Sequence, residues 1–139
     1  MIKALFSSVF LVCLLATGVQ AQDAKSIPDL KGSWQATAVQ FHFRDKGHIK
    51  HDGKGSKLVV TSQEGRVFSG SVEWSHPKAT GKENFSGVFD KDGVTFYAAG
   101  HTDAFRLGKM EGPDAFTLYI VASGGKSPKA GYVEFKRVQ

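Results

Sequence analysis

The sequence predicts an all-β fold, an eight-stranded antiparallel up-and-down barrel, and three features predict it. No stretch holds a helical period of apolar residues, short runs rich in Val, Phe, Tyr and Thr recur along the chain, and Gly, Asp and Pro clusters separate them. The runs are 33–43, 56–63, 67–74, 83–89, 94–100, 104–110, 115–122 and 129–138. Most links between them are hairpin-sized: Glu64-Gly65-Arg66, Asp90-Lys91-Asp92-Gly93, Glu111-Gly112-Pro113-Asp114 and 123–128 supply residues that accept positive φ or pre-set a turn. Eight hairpin-linked strands laid flat would expose two edges to other chains, and closing the sheet removes both. A two-sheet β-sandwich is the alternative.

Alternation along the runs places an inward set of Trp34, Leu58, Val60, Phe68, Val72, Trp74, Phe85, Phe89, Val94, Phe96, Phe105, Leu107, Phe116, Leu118, Ile120, Val133 and Phe135. That interior is expected to hold no acid or base. Phe-Ser-Gly occurs twice, at Phe68-Ser69-Gly70 and Phe85-Ser86-Gly87, and puts Gly70 and Gly87 on the phenylalanine face. An inward glycine either admits a neighbouring ring or widens a cavity. The first reading is favoured, because the inside of an eight-stranded barrel is just filled by side chains.

The ends and the composition set the context. Met1-Ile2-Lys3, an apolar stretch over 4–16 and the small residues Val19 and Ala21 form the pattern of a secretory signal peptide, with cleavage expected after Ala21. The stretch is too short to span a bilayer, and no later apolar run is long enough. Removing 1–21 takes only one charged residue, Lys3, and leaves 118 residues with 17 basic and 13 acidic side chains, a net charge of +4. One domain over 22–139 is expected, periplasmic or secreted.

Cys13, the one cysteine, lies in the leader behind Val12, where a lipoprotein signal would carry a smaller residue. The mature chain therefore has no thiol chemistry and no disulfide, which favours a Gram-negative periplasm. The sequon Asn84-Phe85-Ser86 matters only in a eukaryotic setting.

Leu30-Lys31-Gly32-Ser33-Trp34 resembles the Leu-x-Gly-x-Trp opening of the calycin barrels, namely the lipocalins, fatty-acid-binding proteins and avidins. In those families the Trp packs at the closed end and a basic residue of the last strand lies over its ring. The resemblance implies structural roles for Gly32, Trp34 and Arg137. Gln35-Ala36-Thr37-Ala38-Val39 departs from an avidin biotin site, and Thr102-Asp103-Ala104-Phe105 is a near miss to the lipocalin corner. The stretch 41–56 lacks the helical pair of fatty-acid-binding proteins. The chain also reads like short exported bacterial β-proteins to which no activity is assigned.

The longest link, 44–55, concentrates Lys, His and Gly, and in a calycin-like barrel it would be a loop over the open mouth. Arg44, Lys46, His48, Lys50 and His51 form a candidate rim for an anionic partner, to be weighed against an ordinary solvated loop. His42, His48 and His51 with Asp45 and Asp52 have poor spacing for a metal, so no metal ligands are assigned. His76 and His101 sit beside turns and are expected to face solvent.

Enzyme motifs are missing: there is no Gly-x-Ser-x-Gly, His-Glu-x-x-His or Gly-x-Gly-x-x-Gly, and Gly125-Lys126-Ser127 lacks the first glycine and the helix of a phosphate loop. Tyr97, Tyr119, Arg66 and Arg106 remain as groups for the fold to bring together in an acid–base site. Export and a modest charge without a basic stripe argue against nucleic acid.

The leading functional expectation is a binding protein holding a small apolar or amphipathic ligand inside the barrel, against Phe68, Trp74, Phe96, Phe116 and Tyr119, with no cofactor. The competing one is a dry-cored interaction module that recognises a protein or anionic glycan through its outer face and the 44–55 rim.

Overall fold

The computed structural model describes residues 26–76, 79–100, 104–124 and 127–139. Residues 1–25, Pro77, Lys78, His101, Thr102, Asp103, Gly125 and Lys126 lie outside them. The strands are β1 Gly32–Phe43, β2 Gly47–His51, β3 Ser56–Glu64, β4 Val67–His76, β5 Ala79–Phe89, β6 Thr95–Gly100, β7 Ala104–Gly112, β8 Ala115–Ala122 and β9 Lys129–Arg137. All neighbours are antiparallel, and β9 pairs back onto β1, closing an eight-stranded barrel of β1 and β3 to β9.

β2 is the extra strand, and it corrects the loop expected over 44–55. One edge of β1 is shared: Gly32 to Gln35 pair with β3, and Val39 to Phe43 pair with β2. The reason lies in the turn. Arg44-Asp45-Lys46 is followed by Gly47 at φ +69, the left-handed residue that ends a hairpin turn, and Ile49 then falls opposite Phe41. Register shifts in the β1–β9, β3–β4 and β7–β8 pairs add the local twist that a narrow barrel needs to close.

The core runs the length of the barrel. Leu30, Trp34, Phe89 and Phe116 are wholly buried at one end, and Phe68, Phe85 and Phe96 continue it. The aromatic rings are accommodated by glycines directly across the strand pair: Gly87 opposite Phe68, Gly70 opposite Phe85, Gly108 opposite Phe96 and Gly81 opposite Trp74. A Cβ at Gly87 or Gly108 would overlap the facing ring. The void left inside is about 10 Å³, the lower limit for one water.

β7 runs in the opposite phase from the one expected. Phe105 is 54% exposed and Leu107 lies on its outer side, while Arg106, Gly108 and Met110 point inward. Gly108 there receives the Phe96 ring, and Arg106 meets Glu83 of β5, so the interior does contain a charge pair. Trp74, also expected inside, is 36% exposed at the barrel rim, its ring against Gly81.

Candidate functional site

At the Trp34 end, the indole is 0% exposed and its Nε1 donates to the Leu30 carbonyl at 2.9 Å. The Arg137 guanidinium lies 4.2 Å from the ring centroid, directly across the β1–β9 pair. It also donates to the carbonyls of Lys31 and Asp29 and, at 3.0 Å, to Asp114 Oδ1. Gly32, at φ +114, passes beside that guanidinium. One arginine thus fastens the N-terminal segment, the β7–β8 turn and the Trp face. These contacts are architectural: they hold the first and last segments of the barrel and the Trp34 ring in place.

The aromatic ligand wall is not assembled. Phe68, Phe96 and Phe116 do meet, with centroids 5.6 Å and 5.4 Å apart, but they fill the core against one another. Trp74 is at the opposite end, and Tyr119, 47% exposed, is on the outer face. The acid–base group is dispersed as well. Tyr97 is on the outer face, Arg66 donates to the Phe89 carbonyl at 2.8 Å, and Arg106 is inside with Glu83.

The end opposite Trp34 holds the buried charge. Glu83 and Arg106 are buried and paired, and Gly100 leaves them room, since a Cβ there would overlap both. Lys129, the first residue of β9, is half-buried, with its Nζ 5.7 Å from the Phe41 centroid and 5.4 Å from that of Phe43. Lys46 stands 5.7 Å from the same Phe43 ring. Burial, then Arg106, hold the Lys129 ammonium below the usual lysine range, with Glu83 partly offsetting them.

The rim residues sit on the β1–β2 hairpin. Arg44, Lys46, His48 and Lys50 are exposed; His48 pairs with His42, and Lys50 with Gln40. His51 accepts from the Gly53 amide at 3.1 Å, and its ring is 5.3 Å from that of His76, which is half-buried there and not simply solvent-facing. Among the described residues, no three His, Cys, Asp or Glu side chains converge as a metal site would require.

The outer wall has two characters. Over β3 to β5 it is polar, a shallow groove of about 330 Å³ lined by Thr61, Ser69, Ser71, Asn84 and Ser86. Over β6 to β9 it carries two apolar rows, bordered by a third row, Thr95, Lys109, Thr117 and Glu134, that is polar and charged. One row runs Tyr97, Leu107, Tyr119, Tyr132 in direct cross-strand register, and the next runs Ala99, Phe105, Val121, Ala130. The first row continues across β5 and β4 through Val88 and Val67. Phe105, Tyr119 and Val121 are each about half exposed, and no charge interrupts either row. The sequence signal for this face was the phase of β7: with Arg106 inside, Phe105 and Leu107 must be outside.

The fold defines a small closed antiparallel β-barrel. Among solved structures the chain is similar to a redesigned β-barrel, with a TM-score of 0.48 and 12% identity over 79% of this chain and 92% of that one. No protein-family model and no curated protein matches it.

Proposed function

We propose that the protein is an exported interaction domain that works through the outside of its barrel, docking by the apolar face of β6 to β9 onto a second copy of itself. The observation that supports this reading is the pair of uncharged rows on that face beside an interior already filled. Apolar sheet surface in water gains by being covered with equally apolar surface, and the same patch on another copy is such a surface. Charge favours that partner too. Arg44, Lys46, Lys50, Lys54 and Lys57 lie on the β1–β2 hairpin, the β2–β3 link and the start of β3, outside the patch, and the charges that border it, Lys109 and Glu134, are of opposite sign. Export rests on the leader and its expected cleavage site.

Sedimentation equilibrium tests the reading. The mature protein should be dimeric, and Phe105→Lys with Tyr119→Lys should be monomeric with an unchanged melting temperature, since both side chains are outside. A wild-type monomer at every concentration, or a double variant that still dimerises, would overturn it.

Storage of an apolar or amphipathic ligand within a calycin-like barrel is the second reading. The barrel closure and the Arg137–Trp34 seal support it. It requires the Phe68, Phe96 and Phe116 rings to give way, because the present void is about 10 Å³.

A further inference from the structure

Among the described residues, Lys129 and Lys46 at the end of the barrel opposite Trp34 form no ion pair, and they stand over an aromatic floor. Phe41 and Phe43 are neighbours on one face of β1, with centroids 5.8 Å apart, and both remain partly exposed. Lys129 of β9 stands over both rings, and Lys46 of the hairpin turn stands over Phe43. Arg106 of β7 lies close enough to repel the Lys129 ammonium, and the one acid shown acting on that ammonium, Glu83 of β5, is committed to Arg106. Asp45, in the same turn as Lys46, accepts a hydrogen bond from the Ser127 hydroxyl.

A half-buried ammonium has lost hydration that an aromatic face restores only in part. An anion placed beside it recovers the loss through a charge-assisted hydrogen bond. A bare inorganic anion would use the charge alone and leave the rings in water. We infer that this end is a binding site for an organic anion on a flat apolar body, an aromatic carboxylate in the simplest case. The carboxylate meets Lys129, supported by Lys46, and the ring rests on Phe41 and Phe43. The inference is independent of the dimer, whose face is on the outer wall of β6 to β9.

The test is an NMR titration of the full mature protein that follows the Lys129 ε-methylene, with benzoate, acetate and inorganic phosphate as probes. Benzoate should give a saturable shift at Lys129, raise the pH at which that group titrates, and bind more tightly than acetate or phosphate. Lys129→Met should weaken benzoate by about ten-fold or more, the worth of one charge-assisted hydrogen bond, and Lys46→Met should weaken it less. Lys50→Met, which changes a charge on the outward side of the same hairpin, should leave it unchanged. Should Lys129→Met not fold, the displacement of the wild-type Lys129 titration by benzoate decides the matter alone. No shift at Lys129, equal affinity for benzoate and phosphate, or wild-type affinity in a folded Lys129→Met would each overturn the inference.

Discussion

Gly87 and Arg106 show how single residues fix the interior. Gly87 has ordinary strand geometry, so its requirement is space: the Phe68 ring occupies the volume a side chain would need. Gly87→Val should cost about 1 to 3 kcal/mol in urea unfolding, as overpacking does, and Gly87→Ala should lose stability in the same direction. A gain in either variant would mean that an empty cavity lies beside Phe68. Glu83 and Arg106 are harder to read from sequence, since a charged pair inside a strand face contradicts the apolar pattern that finds strands. Removing one partner strands the other: Arg106→Met should cost about 3 to 5 kcal/mol, while Glu83→Leu with Arg106→Met together should be near neutral or stabilising. A double variant as damaged as the single one would show that the pair itself holds the barrel.

At the scale of elements, the strand boundaries were largely legible because β-rich runs and turn residues alternate without ambiguity. All eight runs are strands, and β8 is the run 115–122 unchanged. Phase was legible except in β7, where Ala-Phe-Arg-Leu-Gly-Lys-Met admits two alternations and hydrophobicity alone selects the wrong one. A one-residue slip exchanges every side chain between core and solvent. Only the tertiary partners, Phe96 for Gly108 and Glu83 for Arg106, decide it, and with them goes the outer apolar face. β2 escaped notice because its alternating His and Lys resemble a solvated loop, and the turn glycine was its one local sign. With no atom within 4 Å of a Cβ at Gly47, Gly47→Ala isolates backbone strain at φ +69. It should cost about 1 kcal/mol and speed hydrogen exchange in β2 before any other strand. Uniform acceleration would contradict the view that β2 is an appended strand whose ladder pairs with β1 alone. The hairpin is also tied to Ser127 through Asp45, whose carboxyl this bond holds below its ordinary value. A lowered folded pKa stabilises above the unfolded value and is lost as pH falls through the folded one. Ser127→Ala should therefore lower stability slightly at neutral pH, flatten its fall on the acid side, and make no difference once Asp45 is protonated.

The molecule as a whole is a filled barrel, sealed at the Trp34 end and carrying its buried charge pair toward the other. The resemblance in Gly32, Trp34 and Arg137 pointed to the sealed end, where Trp34→Ala should cost about 3 to 5 kcal/mol. A loss below about 1 kcal/mol would deny Trp34 that role. The sequence favoured a filled interior, with Gly70 and Gly87 admitting rings, and the structure agrees, but the sequence did not reveal the buried Glu83–Arg106 pair or which glycine faces which ring. Fullness separates a container from a docking surface. Native mass spectrometry of the protein purified from its own host tests it most directly. A barrel that works through its outer wall should appear as the bare mature chain, monomer and dimer, with no apolar molecule retained. A stoichiometric apolar adduct, diminished by Gly87→Val, would contradict the account and return the function to the barrel interior.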